Sequence, residues 1–147
     1  MLDSGVKRFL LLGLVFVGLI ITGAIVLEVL EGYQITTTEF YGIRNIGFVT
    51  YSLSLLFAYG HHLAAIYVII VIPISWLLRK RVHSTMIRIL IYICSWGVGG
   101  IWVFDQLYSE YFVVGYGLNR MTSIWIFAVI GLLYAIAEHR ILKSRSA

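Results

Sequence analysis

Four long apolar segments alternate with short polar ones along the chain. They cover residues 9–30, 46–78, 87–108 and 121–137. A helix needs about 20 apolar residues, or about 17 at the lower limit, to cross the hydrocarbon layer of a bilayer. The pattern therefore predicts an all-α integral membrane protein, a four-transmembrane-helix bundle that fills residues 1–147 as a single membrane domain.

The second segment is longer than one crossing requires. Its length predicts either a strong tilt or an interfacial piece over residues 46–54 that precedes the span itself. Pro73 predicts a kink near the end of this segment, because proline lacks the N–H of one helix hydrogen bond. A loop rich in Tyr and Gly is expected over residues 111–119, ahead of the fourth span.

The composition agrees with a membrane protein. Hydrophobic residues make up 61% of the 147 residues and charged residues only 12%, whereas soluble domains carry about 25% charged residues. The first apolar segment exceeds the 7 to 15 residues, roughly, of a signal-peptide core, so we expect it to be retained as a span. Cys94 is the only cysteine, which excludes an intramolecular disulfide.

The basic residues predict the orientation of the chain. Lys and Arg favour cytoplasmic loops, and one side of the predicted membrane would hold nine of the eleven while the other holds only Arg44 and Arg120. This favours both termini in the cytoplasm (N-in/C-in), and we expect the plasma membrane of a prokaryotic cell. The basic residues flank apolar runs and do not form an exposed patch, so no nucleic-acid partner is expected.

Several polar residues fall at a similar depth within the predicted spans. Counted at about 1.5 Å per residue from the basic ends, they lie roughly 25–30 Å away. Such groups are costly in lipid and usually face other helices. On the second span Ser54, Ala58, His61 and Ala65 share one face. We therefore predict an intramembrane polar cluster that fixes helix packing, composed of Glu28, His61, His62, Asp105, Arg120 and Ser123.

A metal or haem site is a more specific alternative for the polar residues at this depth. Adjacent His61 and His62 point about 100° apart on a helix, so one of them would need ligands from other helices. Glu28 and Asp105 are candidate metal ligands, and Met121 could pair with a histidine on haem b. The chain lacks H-x-x-x-H, E-x-x-H and C-x-x-C motifs, so no cofactor is predicted and haem b or a metal ion stays an alternative.

A short stretch resembles one known group of membrane proteins. Residues Gly60–Ala65 resemble the histidine-bearing helix start of small four-helix membrane proteins of the copper-resistance and haem-binding kind. The resemblance covers six residues, which here fall in the second span instead of the first, and no function is carried over from it.

These features favour a small accessory subunit, structural and non-catalytic, of a larger membrane complex such as a respiratory or oxygenase-type enzyme. No nucleotide-binding loop, nucleophile elbow or hydrolase triad is present, so no catalytic residue is predicted. The expected partners are the lipid bilayer and other membrane-protein subunits. Two alternatives stay open: a self-sufficient redox protein that binds haem or metal through His61 or His62, and a homo-oligomer that conducts protons or ions.

Overall fold

A computed structural model describes residues 4–143, and this part of the chain is helical without any strand. A single turn of 3-10 helix at Gly32–Gln34 follows the first helix, and a π-helical segment at Tyr67–Val71 joins the third helix to the fourth. The helices are α1 (Ser4–Leu30), α2 (Ile43–Ile46), α3 (Phe48–Ile66), α4 (Ile72–Arg81), α5 (Thr85–Leu107), α6 (Glu110–Tyr116) and α7 (Arg120–Lys143).

Four long helices are apolar enough to cross a membrane, as the sequence predicts. They run over Gly5–Gln34, Phe48–Arg81, Thr85–Leu107 and Arg120–Leu142. The fourth extends beyond the predicted residue 137, and its additional turn carries Glu138. Glutamate is a good helix former, and the Glu138 side chain is buried beside Arg79.

The segments around the second long helix differ from the sequence expectation. The piece that precedes it is the four-residue α2, which is followed by Gly47, and residues 48–54 already belong to the long helix. Gly47 has a φ of 81°, which a residue with a side chain rarely adopts. Residues 111–119 are not a plain loop either, because α6 occupies Glu110–Tyr116 and ends at Gly117, whose φ is 66°.

The predicted irregularity at Pro73 is accommodated by the π-helical segment. Proline removes one backbone hydrogen bond, and its ring clashes with the carbonyl of the residue four positions earlier. That residue, Ile69, lies within the widened turn at Tyr67–Val71. The second long helix therefore continues past Pro73 to Arg81.

Helix α7 lies between α5 and α1 and packs closely on both. Glycines allow this approach: a Cβ on Gly100 would lie 2.7 Å from the Ser123 carbonyl oxygen, and one on Gly131 would lie 2.7 Å from the Tyr92 carbonyl oxygen. A Cβ on Gly23 would likewise meet Ile130. Small residues are the usual means of close helix packing in membranes, where the hydrophobic effect does not drive helices together.

The second long helix is attached mainly along one side, through α1. The Tyr67 ring lies over Gly13 and beside Phe16, at 5.4 Å between ring centroids, and its hydroxyl donates to the Phe9 carbonyl. Between this helix and α5 an open apolar cleft remains, which we call the lateral cleft. It has a volume of about 390 Å³ and its floor includes Phe16.

Candidate functional site

Polar contacts concentrate at the two ends of the helix bundle. The carboxylate end is where α1 and α5 finish and α3 and α7 begin, and it holds Glu28 and Glu31. The basic end is where α4 and α7 finish and α5 begins, and it holds Arg79, Arg88 and Glu138.

Glu28 is fully buried at the carboxylate end and accepts hydrogen bonds from three segments. The Tyr108 hydroxyl donates to its Oε2 at 2.8 Å and the Tyr51 hydroxyl to the same oxygen at 3.4 Å, while the Ile43 N–H donates to Oε1 at 3.1 Å. The backbones of Gly32 and Gly42 lie directly against the carboxyl group, where any Cβ would overlap it. A buried carboxylate is tolerated only when it is hydrogen-bonded, and Glu28 thereby joins α1, α2, α3 and the end of α5.

Tyr108 stays a hydrogen-bond donor in this arrangement. Burial raises the pKa of its phenol, and the negative charge of Glu28 and the hydrogen bond between the two groups raise it further. A neutral hydroxyl has one O–H to donate, and here it donates a hydrogen bond to the Glu28 carboxylate.

Glu31, the first residue after the predicted first span, is also buried. It accepts hydrogen bonds from the Asn119 N–H, at 2.8 Å, and from the Thr122 hydroxyl. These donors lie at the first turn of α7, where the helix dipole favours a negative charge. Glu31 therefore fixes the end of α1 to the start of α7.

Asp105 and Arg120 form a separate pair at the same end. The Arg120 Nε lies 3.0 Å from Asp105 Oδ1, and the two side chains are 55% and 44% exposed, respectively. Ser123 is buried, and its hydroxyl donates to the Arg120 carbonyl at 2.7 Å. Of the predicted polar cluster, the structure thus brings Asp105 and Arg120 into an ion pair, with Ser123 one turn away, whereas Glu28 has tyrosines as its side-chain partners.

His61 lies on the outer surface of α3, whereas His62 lines a small cavity between α3, α1 and α5, together with Trp102 and Gln106. Their rings are 3.9 Å apart, both side chains are exposed, and His62 Nδ1 lies 3.3 Å from the Ala58 carbonyl. Neither ring hydrogen-bonds to a second side chain within residues 4–143. Met121, the other candidate haem ligand, is 55% exposed at the start of α7.

The candidate metal ligands are distributed over different surroundings. Within the part of the chain that the structure describes, no three His, Cys, Asp or Glu side chains come together as a group that could hold a metal ion. Glu28 hydrogen-bonds to tyrosines, and Asp105 pairs with Arg120.

Comparison of the chain with protein families, with curated proteins and with solved structures found no match.

The basic end holds polar contacts that the sequence patterns do not single out. Arg79 Nη2 donates to Glu138 Oε1 at 3.4 Å, and Glu138 is buried. One turn deeper, the hydroxyls of Ser75 and Tyr92 hydrogen-bond at 2.8 Å. Arg79 belongs to a run of basic residues that resembles an ordinary solvated turn, so only its position opposite Glu138 distinguishes it from its neighbours.

A small cavity lies beside these contacts, and we call it the arginine cavity. It has a volume of about 210 Å³ and lies open to the outside between α4, α5 and the end of α7. Its polar lining residues are Arg79, Thr85, Arg88, Tyr92, Glu138 and His139. This cavity differs from the lateral cleft, whose lining is almost entirely apolar.

Proposed function

We propose that the chain is a small, non-catalytic accessory subunit of a larger membrane complex, such as a respiratory or oxygenase-type enzyme. In this proposal it spans the plasma membrane of a prokaryotic cell four times, with the basic end and both termini in the cytoplasm. The orientation rests on the charge pattern, since nine of eleven basic residues belong to one side.

One observation carries the proposal: the polar and small-residue face of α3 points away from the bundle. Ser54, Ala58, His61 and Ala65 are all exposed, while Leu63, on the opposite face, and Leu55, about 100° around the helix from Ser54, are buried. We call these four exposed residues the α3 seam. Small and hydroxyl residues at this spacing are typical of helix contacts in membranes, yet all four seam residues are left exposed by the helices of residues 4–143.

The energetics also support a protein partner over lipid. His61 lies about 27 Å from Arg79 along the helix, at 1.5 Å per residue, so it falls within the length of a span. Ionisable side chains within spans are rare, and almost always face protein or a water-filled cavity. A helix of another subunit that covers the α3 seam would supply a hydrogen-bond partner to the His61 imidazole and close packing to Ala58 and Ala65.

The test is purification of the tagged full chain from its native host in mild detergent, followed by mass spectrometry of the co-migrating proteins. Wild type is compared with Ala58→Phe and His61→Leu, which alter the α3 seam. The matched control is Val129→Phe, which places the same bulky side chain at an exposed position of α7. We expect larger subunits to co-purify in fixed proportion with wild type and Val129→Phe, and to be lost from the two seam variants.

An absorption spectrum and a metal analysis of the same peak test the competing functions. A chain that migrates without other subunits and carries a Soret band or near-stoichiometric metal, lost in His61→Ala or His62→Ala, would replace the proposal with a self-sufficient redox protein. A homo-oligomer that conducts ions in vesicles would replace it with a channel.

A further inference from the structure

The arginine cavity combines two guanidinium groups with unused hydrogen-bonding capacity. Arg79 and Arg88 both line it, and each has a buried Nε–H without a hydrogen-bond partner in residues 4–143. Buried donors in folded proteins nearly always have partners, and an unsatisfied one calls for an explanation such as an ordered water or ion. The two guanidinium groups that line the cavity carry several further N–H donors, which suit a group with several acceptor oxygens.

The charges of the cavity favour an anion. The carboxylate of Glu138 is the only negative group among the lining residues, and it is paired with Arg79 at 3.4 Å. Arg88 has no carboxylate partner in the described part of the chain and donates through Nη2 to the neutral Thr85 hydroxyl at 3.2 Å. The two arginines and Glu138 together give the lining one net positive charge, which matches a phosphodiester monoanion. Guanidinium groups suit phosphate because they offer two parallel N–H donors.

The lateral cleft begins beside this cavity. Tyr92 lines both spaces, and Leu78 of the cleft is the chain neighbour of Arg79. From there the cleft runs between the second long helix and α5 to Trp102, with Ile74, Ile70 and Gly99 along its walls. A polar cavity and an adjoining apolar cleft together fit a molecule with an anionic head and a hydrocarbon tail.

We propose that the arginine cavity and the lateral cleft form a binding site for an anionic phospholipid. The phosphodiester contacts the guanidinium groups of Arg79 and Arg88, and an acyl chain occupies the lateral cleft. The site lies at an end of the long helices, which is the level of lipid headgroups, and basic pockets between membrane helices bind such headgroups. A bound acyl chain would also fill the gap between the second long helix and the rest of the bundle.

The first test is a titration of the purified full chain with phosphatidylglycerol, or with zwitterionic phosphatidylcholine, followed by native mass spectrometry. Wild type is compared with Arg88→Gln, and the matched control is Arg81→Gln, which removes an equal charge from an exposed arginine outside the cavity. Loss of a hydrogen bond to a charged group corresponds to about a tenfold or greater loss of affinity. We expect Arg88→Gln to bind phosphatidylglycerol about tenfold or more weakly than wild type. The affinity of Arg81→Gln should change little.

Equal binding of the two lipids by wild type, or wild-type affinity in Arg88→Gln, would overturn the proposal. If Arg88→Gln does not fold, as judged by circular dichroism, Arg88→Lys takes its place. Lysine keeps the charge but lacks the planar pair of donors, so weaker phosphatidylglycerol binding is again expected, and unchanged binding would contradict the site.

A second comparison separates a lipid from a free anion. Gly99→Leu adds a side chain at an exposed position that has no atom within 4 Å, so it fills the lateral cleft without touching the arginines. We expect weaker binding of phosphatidylglycerol in this variant and no measurable binding of inorganic phosphate to wild type. Unchanged lipid binding in Gly99→Leu, together with competition by inorganic phosphate, would assign the cavity to a soluble anion and refute the lipid site.

Discussion

The hydroxyl of Tyr108 donates a 2.8 Å hydrogen bond to the carboxylate of Glu28, 80 residues away in the chain. Tyr51 adds a second, longer bond to the same oxygen. The two tyrosines come from different helices, one from α3 and one from the end of α5. A single buried carboxylate therefore holds three of the four long helices in register at this end.

Removal of the Tyr108 hydroxyl should destabilise the fold. Tyr108→Phe leaves the buried Glu28 carboxylate with one donor fewer, which costs about 1–3 kcal/mol of unfolding free energy. Thermal unfolding in detergent, followed by circular dichroism, measures the effect. Tyr111→Phe is the control, because Tyr111 is 74% exposed. This variant should unfold at the same temperature as wild type. Equal unfolding temperatures for the two variants would contradict a structural role of the Tyr108–Glu28 bond.

At the basic end, the ion pair between Arg79 and Glu138 predicts that the loss of either partner has a different effect on stability. Arg79→Ala leaves the buried Glu138 carboxylate without its cation, whereas Glu138→Gln removes the charge that needs the partner. We expect Arg79→Ala to lose about 1–3 kcal/mol and Glu138→Gln to lose less. The double variant should be no less stable than Arg79→Ala alone, which a thermal-unfolding cycle measures. The exposed Arg81→Ala is the control, and additive losses would show that the two groups do not interact.

The apolar pattern predicts the four long helices because span length is a property of consecutive residues. It does not predict which face of each helix is buried, since lipid and protein interior are both apolar. His61 illustrates this: its seam has the residues of a helix contact, yet the structure places it outside. The Asp105–Arg120 pair can be predicted from sequence because the two residues have opposite charges at one depth. The partners of Glu28 cannot, because they are tyrosines, which in the sequence resemble anchors at the membrane interface.

Two adjacent glycines of α5 should respond differently to the same substitution. A Cβ on Gly100 would lie 2.7 Å from the backbone carbonyl of Ser123 in α7, whereas one on Gly99 meets nothing within 4 Å. Gly100→Ala should therefore separate α5 from α7 and lower the unfolding temperature. Gly99→Ala should be neutral or slightly stabilising, since alanine is the better helix former by about 1 kcal/mol. Equal unfolding temperatures would mean that α5 and α7 do not pack as closely as described.

The proposed orientation predicts which connections react with a membrane-impermeant maleimide in intact cells. Tyr41 lies in the connection before α2 and His83 in the turn between α4 and α5, and both are exposed. With Cys94→Ala as the background that removes the native thiol, Tyr41→Cys should be labelled in intact cells. His83→Cys should be labelled only after the membrane is opened, because it belongs to the basic side. The opposite pattern would reverse the orientation, and it would place the arginine cavity in the outer leaflet.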